Sequence, residues 1–262
     1  MDTSELGLAE LRKRLAERDD PPPSRLVRAL RADPRAGAQR LAEELAERAA
    51  RRGEELRRIA RLWRLEKELA AEGYAFVAGC DEVGMGPLAG PVVAAAVVLP
   101  LGVRLVGLDD SKKLTAEARE RLDAEIRACA AAVALAVVEP DEIDRLNIYW
   151  AGQAAIERAV AALFRPPDAV VVDGRRVRAL GCHQVAVVGG DARVASIAAA
   201  SIVAKVHRDG LMRALDAAHP GYGFARHMGY STPEHFAALE RLGPSPIHRR
   251  SFAPVRAVGA AD

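Results

Sequence analysis

Asp81-Glu82-Val83-Gly84-Met85-Gly86-Pro87-Leu88-Ala89-Gly90-Pro91 decides how this chain reads. It leaves an apolar stretch, residues 76–80, and enters a β-branched one, residues 92–99, that is apolar on both faces. Both stretches predict strands, the second buried on both sides. Successive strand side chains point to opposite faces, so two adjacent carboxylates cannot both sit in one core. A turn on glycines at the strand end brings both to an open site. The plain alternative is a capped strand end before a turn.

The same pattern recurs downstream. Residues 169–172, Ala-Val-Val-Val, run straight into Asp173-Gly174. A carboxylate ending a buried strand beside a glycine suits a hard cation, although an Asp-Gly turn explains it equally well. Asp191 follows Gly189-Gly190 and precedes an alanine-rich helix, where Asp serves as an N-cap. Four carboxylates from separate segments repel unless cations lie between them. With no His-rich or Cys-rich set in competition, oxygen ligation by Mg²⁺ or Mn²⁺ is implied, a combination suited to two-metal phosphodiester hydrolysis.

Around these motifs, strands are also expected at 131–138 and 185–188, the latter short and buried. Helices are expected at 115–128, capped by Thr115, and at 141–163, 196–218 and 233–242. Strands followed by β–α alternation predict a mixed α/β sandwich over residues 73–262. Residues 1–72 differ. They are rich in charge of both signs, with 17 basic and 14 acidic residues in 1–70, and nearly free of aromatics. Apolar residues three or four apart predict a helical N-terminal extension. It has a first helix after a Thr3/Ser4 cap, a stop at Pro21-Pro22-Pro23 and a short helix capped by Ser24. A longer helix or helix pair follows, with a slip near Gly53. The arginines at 51, 52, 57, 58 and 61 suggest a nucleic-acid arm, but the interspersed glutamates favour a packed appendage.

Composition sets the outer limits. The chain has 262 residues, 50% of them hydrophobic, and a formal charge of +2. No apolar run approaches a membrane span, and no leader peptide is evident, so a soluble cytoplasmic protein with no membrane partner is expected. Cys80, Cys129 and Cys182 form neither a disulfide framework nor a metal clip. Cys80, Cys182 and His183 read as structural, and His248 as ordering the C-terminal segment.

The residues 81–92, Asp110-Ser111-Lys112-Lys113-Leu114, Asp173-Gly174, 199–209 with Ser201, Lys205 and Arg208, Tyr222-Gly223-Phe224, Gly229-Tyr230 and the closing 243–252 resemble ribonuclease HII, over about residues 73–256. The helical leader is similar to that of longer bacterial members. The resemblance implies a ribonuclease H-like mixed sheet flanked by helices. It also implies endonucleolytic cutting of RNA–DNA hybrids and of duplex DNA carrying ribonucleotides, with 3′-hydroxyl and 5′-phosphate ends. Asp81, Glu82 and Asp173 match the metal-binding acids and Asp191 the fourth catalytic acid, and a monomer is expected.

By the same resemblance, the backbone of Gly84-Met85-Gly86 reads the 2′-hydroxyl and Tyr230 stacks on the sugar at the junction. Lys112 and Lys113 just before a helix, and Ser201, Lys205 and Arg208 spaced i, i+4, i+7 along one helix face, are expected phosphate contacts. Two departures stand out: Met85 replaces the usual Arg, and Met228 the usual Lys. Two competing functions remain. One is the related type HIII enzyme, which prefers longer hybrids; the other is a binding protein that has lost cleavage.

Overall fold

The structure, a computed structural model, describes residues 8–16 and 22–259. The chain packs as two units, residues 1–60 and 61–262. In the first unit, helices α1 (Leu8–Ala16), α2 (Ser24–Ala32) and α3 (Ala36–Leu62) enclose a small core of Leu11, Leu15, Leu26, Leu30, Leu41 and Leu45. The spacing of these leucines, four residues apart in each helix, is what makes that core. Ser24 does not cap α2; it is the first helical residue, after Pro23. The Thr3/Ser4 cap and Pro21 lie outside the described residues. The expected slip at Gly53 does not occur: α3 runs through it and the helix breaks at Trp63 instead.

The second unit opens with helix α4 (Arg64–Ala71), so the compact body begins before the change of texture at Gly73. Trp63, 2% exposed, anchors this segment, and its indole N–H donates to the Val103 carbonyl at 3.1 Å. Strands β1 (Val77–Val83), β2 (Val92–Val98), β3 (Ala132–Val138), β4 (Ala169–Asp173) and β5 (His183–Val187) form one sheet in the order β3-β2-β1-β4-β5. The pairings β1–β2 and β2–β3 are antiparallel; β1–β4 and β4–β5 are parallel. The register sets Cys80 opposite Val172, and Asp173 is the next residue along β4.

The remaining helices are α5 (Ala116–Cys129), α6 (Pro140–Leu146), α7 (Ile148–Ala161), α8 (Ala195–Ala218), α9 (Phe224–His227), α10 (Pro233–Leu242) and α11 (Ala253–Gly259). Strand alternation sorts the two faces of the sheet. Cys80, Val170 and Val172 pack with Ala151, Ala155 and Ile156 of α7, whereas Val77 and Val171 pack with Ile197 of α8. Gly79 lets α8 cross β1 at backbone contact, since a Cβ there would lie 2.2 Å from the Ser196 carbonyl carbon.

Two expectations need correction. The helix anticipated over 141–163 is two helices, broken at Asn147. That residue adopts a φ of 70° and caps α7 by accepting the Trp150 amide at 3.2 Å. Asn tolerates this left-handed φ better than most residues. The last strand is not buried: β5 lies at the sheet edge and is partly exposed, because it has a partner on one side alone. Thr115 does cap α5, accepting the Ala118 amide.

Candidate active site

The face rule that builds the sheet also distributes the acids. Asp81 shares the face of Gly79 and therefore meets α8; Glu82 shares the face of Cys80 and meets α7. Asp173 ends β4 beside them, and its Oδ1 accepts the Gly190 amide at 2.7 Å. That bond draws in the short 3₁₀ turn Gly190–Ala192, which carries Asp191. Asp191 is not the cap of α8, whose N-cap position is Val194. The cap comes from Glu66 of α4, whose Oε1 accepts the Ser196 amide at 3.0 Å and its hydroxyl at 2.9 Å.

The four acids interact electrostatically. Burial raises the Asp81 carboxyl well above its ordinary value, and the charges of Glu82, Asp173 and Asp191 add to the effect. Burial and then the charge of Asp173 push Glu82 up to about 7. The Ser201 hydroxyl opposes this at Asp81 by hydrogen bonding to it, and Ser201 is itself held by Ser111 at 2.9 Å. The Lys112 ammonium donates to Asp191 at 3.1 Å, and the neighbouring acids raise its pKa despite partial burial. Among the described residues, no three His, Cys, Asp or Glu side chains are gathered tightly enough to hold one ion as they stand. Three of the four acids are instead turned toward their own donors: Glu82 N–H for Asp81, Gly190 N–H for Asp173, Lys112 for Asp191. The donor set is all oxygen and the charge is concentrated, which fits a hard divalent cation. The ammonium of Lys112 already lies where positive charge is favoured.

The glycine loop is held from beneath by two fully buried arginines. Arg208 donates to the carbonyls of Pro91 at 2.9 Å, Met228 at 3.0 Å and Ala89 at 3.3 Å. Arg249 donates to the carbonyls of Gly84 at 2.6 Å, Gly90 at 2.8 Å and Met85 at 3.2 Å. Burial lowers the pKa of both, that of Arg249 to about 9 with help from the charge of Arg208. Arg208 is therefore not a phosphate contact: its guanidinium has no exposed surface and is consumed by the loop. Gly84 must be glycine, with φ of 93° and a Cβ position 2.3 Å from Arg208 Nε.

Other expected contacts separate into near and far. Tyr230, 40% exposed, places its ring edge 3.8 Å from where a Gly86 Cβ would lie. Met85 does not face outward; it packs against the α7 core, with its Cε 2.9 Å from a Cβ position at Gly152. Lys205 is mostly buried and donates to Asp209 at 2.7 Å, and Lys113 donates to Asp109 at 3.1 Å.

Tyr230 also has a support that the sequence did not reveal. Its carbonyl takes the Nδ1 proton of His235 at 2.8 Å; His235 Nε2 lies 3.0 Å from His248 Nε2; His248 Nδ1 accepts the Ser245 amide at 3.0 Å. Because an amide only donates and a carbonyl only accepts, every proton in this chain is assigned and both rings are neutral. Sequence reasoning missed Glu66, Arg249 and His235. Arg249 stood within a quoted motif, but nothing local gave it a role.

A family model described as Ribonuclease HII matches residues 78–255, and one described as Ribonuclease HII N-terminal domain matches residues 8–70. A protein named Ribonuclease HII from Myxococcus xanthus is 51% identical over 251 residues, 95% of this chain and 86% of that relative. Its counterpart from Geobacillus kaustophilus is 53% identical over 229 residues, 87% of this chain and 88% of that relative. The crystal structure of the ribonuclease H2 from Pyrococcus horikoshii superposes with a TM-score of 0.61 at 27% identity, covering 71% of this chain and 98% of that one.

Proposed function

The chain belongs to the ribonuclease HII family, metal-dependent endoribonucleases that cleave RNA in RNA–DNA hybrids and at ribonucleotides embedded in DNA, and we propose that Asp81, Glu82, Asp173 and Asp191 carry that reaction here. The supporting observation is the convergence of these four acids from β1, β4 and the 190–192 turn, with Asp81 raised by burial and the charge of Glu82, and Glu82 by burial and the charge of Asp173. Those four carboxylates would hold two divalent cations, Mg²⁺ or Mn²⁺, which would activate a water and stabilise the leaving oxygen; 3′-hydroxyl and 5′-phosphate ends would result.

The protein's own residues do the rest. Ser201 fixes the Asp81 carboxylate, and Gly190 N–H fixes that of Asp173. Lys112 supplies a mobile positive charge at the rim that a phosphate can take over from Asp191. Arg208 and Arg249 draw the carbonyls of the 84–91 loop inward, which leaves its backbone close enough for a 2′-hydroxyl to be read. Tyr230 stacks against the sugar beside Gly86. No helix among the described residues is long and apolar enough to cross a membrane; a cytoplasmic monomer acting on nucleic acid is part of the same proposal. The match to the type HII model and relatives favours that type over HIII, and the four intact acids favour cleavage over binding alone. Mg²⁺-dependent nicking of a duplex with one embedded ribonucleotide is the test. Absence of any cut, or a demand for an all-RNA tract, overturns the proposal.

A further inference from the structure

Beside the acids lies a surface that none of these roles uses. The first turn of helix α7 carries Tyr149 and Trp150, exposed by 41% and 38%, their rings edge to face at 4.9 Å. Two residues further on, Gly152 touches the Glu82 side: a Cβ there would lie 3.8 Å from Glu82 Cγ. The loop after Asp173 runs along the same helix. Gln153 ties it down through backbone groups, accepting the Arg178 amide at 3.1 Å and donating to the Arg176 carbonyl at 3.4 Å. The side chains of Arg175, Arg176 and Arg178 are thereby left exposed.

These arginines differ from those on neighbouring helices. Arg121, Arg127, Arg145 and Arg158 are each paired with a carboxylate. Among the described residues, Arg175, Arg176 and Arg178 take part in no ion pair. Arg178 instead lies over the Trp150 ring, 5.5 Å from its centroid. A shallow depression of 230 Å³ between them is bordered by Trp150, Gln153, Val177 and Arg178. Unpaired arginines beside exposed aromatic rings, adjoining a phosphodiester-cutting site, match a sugar–phosphate backbone. Guanidinium groups bind phosphate and flat rings cover sugars or bases.

We propose that Tyr149, Trp150, Arg175, Arg176 and Arg178 form a second contact surface for the substrate duplex, holding the flank that leaves the active site on the Asp173 side. This rests on the nuclease reading above. It also replaces charge that Met85 and Met228 do not provide, and it makes hold on substrate depend on duplex beyond the cut.

The wild-type protein carries its own reporter. Of its two tryptophans, Trp63 is 2% exposed, so fluorescence accessible to acrylamide comes from Trp150. Duplex binding is followed by anisotropy in Ca²⁺, together with acrylamide quenching, for duplexes carrying one ribonucleotide with both flanks long or with either flank cut short. The expected result is protection of Trp150 with both flanks long, kept when one particular flank is shortened and lost when the other is. Converting Arg175, Arg176 and Arg178 together to Gln should flatten the slope of log K against log salt by up to about 2.7. Binding without protection of Trp150, or an unchanged slope in the triple variant, overturns the surface while leaving the nuclease reading intact. Failure of every duplex to bind overturns both.

Discussion

Two clusters of like charge lie on either side of the 84–91 loop, and they handle repulsion in opposite ways. Arg208 and Arg249 are fully buried, and among the described residues no carboxylate bonds to them, yet every guanidinium nitrogen of each donates to a neutral carbonyl. Asp81, Glu82, Asp173 and Asp191 have few donors among them and retain mutual repulsion. The first cluster is complete as protein and acts as a frame. The second has one protein cation, Lys112 on Asp191, against four carboxylates, so the rest of its positive charge must come from outside, as the proposed cation-dependent reaction requires. A buried like-charge set therefore signals function when its polar atoms lack partners, and structure when they have them.

The comparison breaks most visibly at the acids. Asp81→Asn and Asp173→Asn should each reduce Mg²⁺-dependent nicking to background. Apo stability should hold or rise slightly, because one repelling charge is gone. Nicking and thermal melts on the same samples check both halves; a variant that melts well below wild type places that residue in the frame instead. Arg249→Met should do the reverse. It leaves buried carbonyls of Gly84, Met85 and Gly90 without donors and should cost about 3 kcal/mol in denaturant unfolding. Arg249→Lys should rescue little, since one ammonium cannot span three carbonyls.

A smaller effect comes from pH. Burial, then the charge of His235, lowers His248 to about 4. The unfolded chain takes up this proton near pH 6.5 and the folded one near pH 4, so stability present above about 6.5 drains away as pH falls toward 4. The loss should reach about 2 kcal/mol by pH 5. The acids act with the opposite sign: Glu82, raised to about 7, makes the apo protein less stable as pH rises from about 4.5 to 7. Melts of wild type and His248→Gln between pH 7 and 5 should separate the two slopes, the variant losing the low-pH decline. The smallest effect is at Glu66. Glu66→Ala removes the cap on α8 and should cost about 1 kcal/mol, whereas Glu66→Gln keeps an acceptor for Ser196 and should be nearly neutral by chemical unfolding. Equal losses in the two variants would assign the effect to the charge of the carboxylate rather than to its acceptor role.

What the sequence disclosed, and what it hid, follows the range of the interactions. Asp81, Glu82 and Asp173 were legible because an apolar run ending in a carboxylate beside glycine is a contiguous pattern. The strands at 77–83 and 92–98 were legible for the same reason. The exposure of β5 was not, because whether a short apolar run lies inside or at the edge depends on strand order. Glu66 lies 130 residues from the amide it caps, so no window of sequence contains both partners. Arg208 was misread because helical spacing gives the face a residue lies on, not what covers that face.

The crossing of α8 over β1 at Gly79 carries a last consequence, for mutational recovery. The obstacles facing any side chain at this position are main chain, the Ser196 carbonyl carbon and Ile197 nitrogen, as well as the Ser196 Cβ, so trimming that side chain would still leave the backbone in the way. A Gly79→Ala lesion should therefore have no second-site suppressor among small-residue substitutions, and a selection for regained nuclease activity should return the original glycine codon.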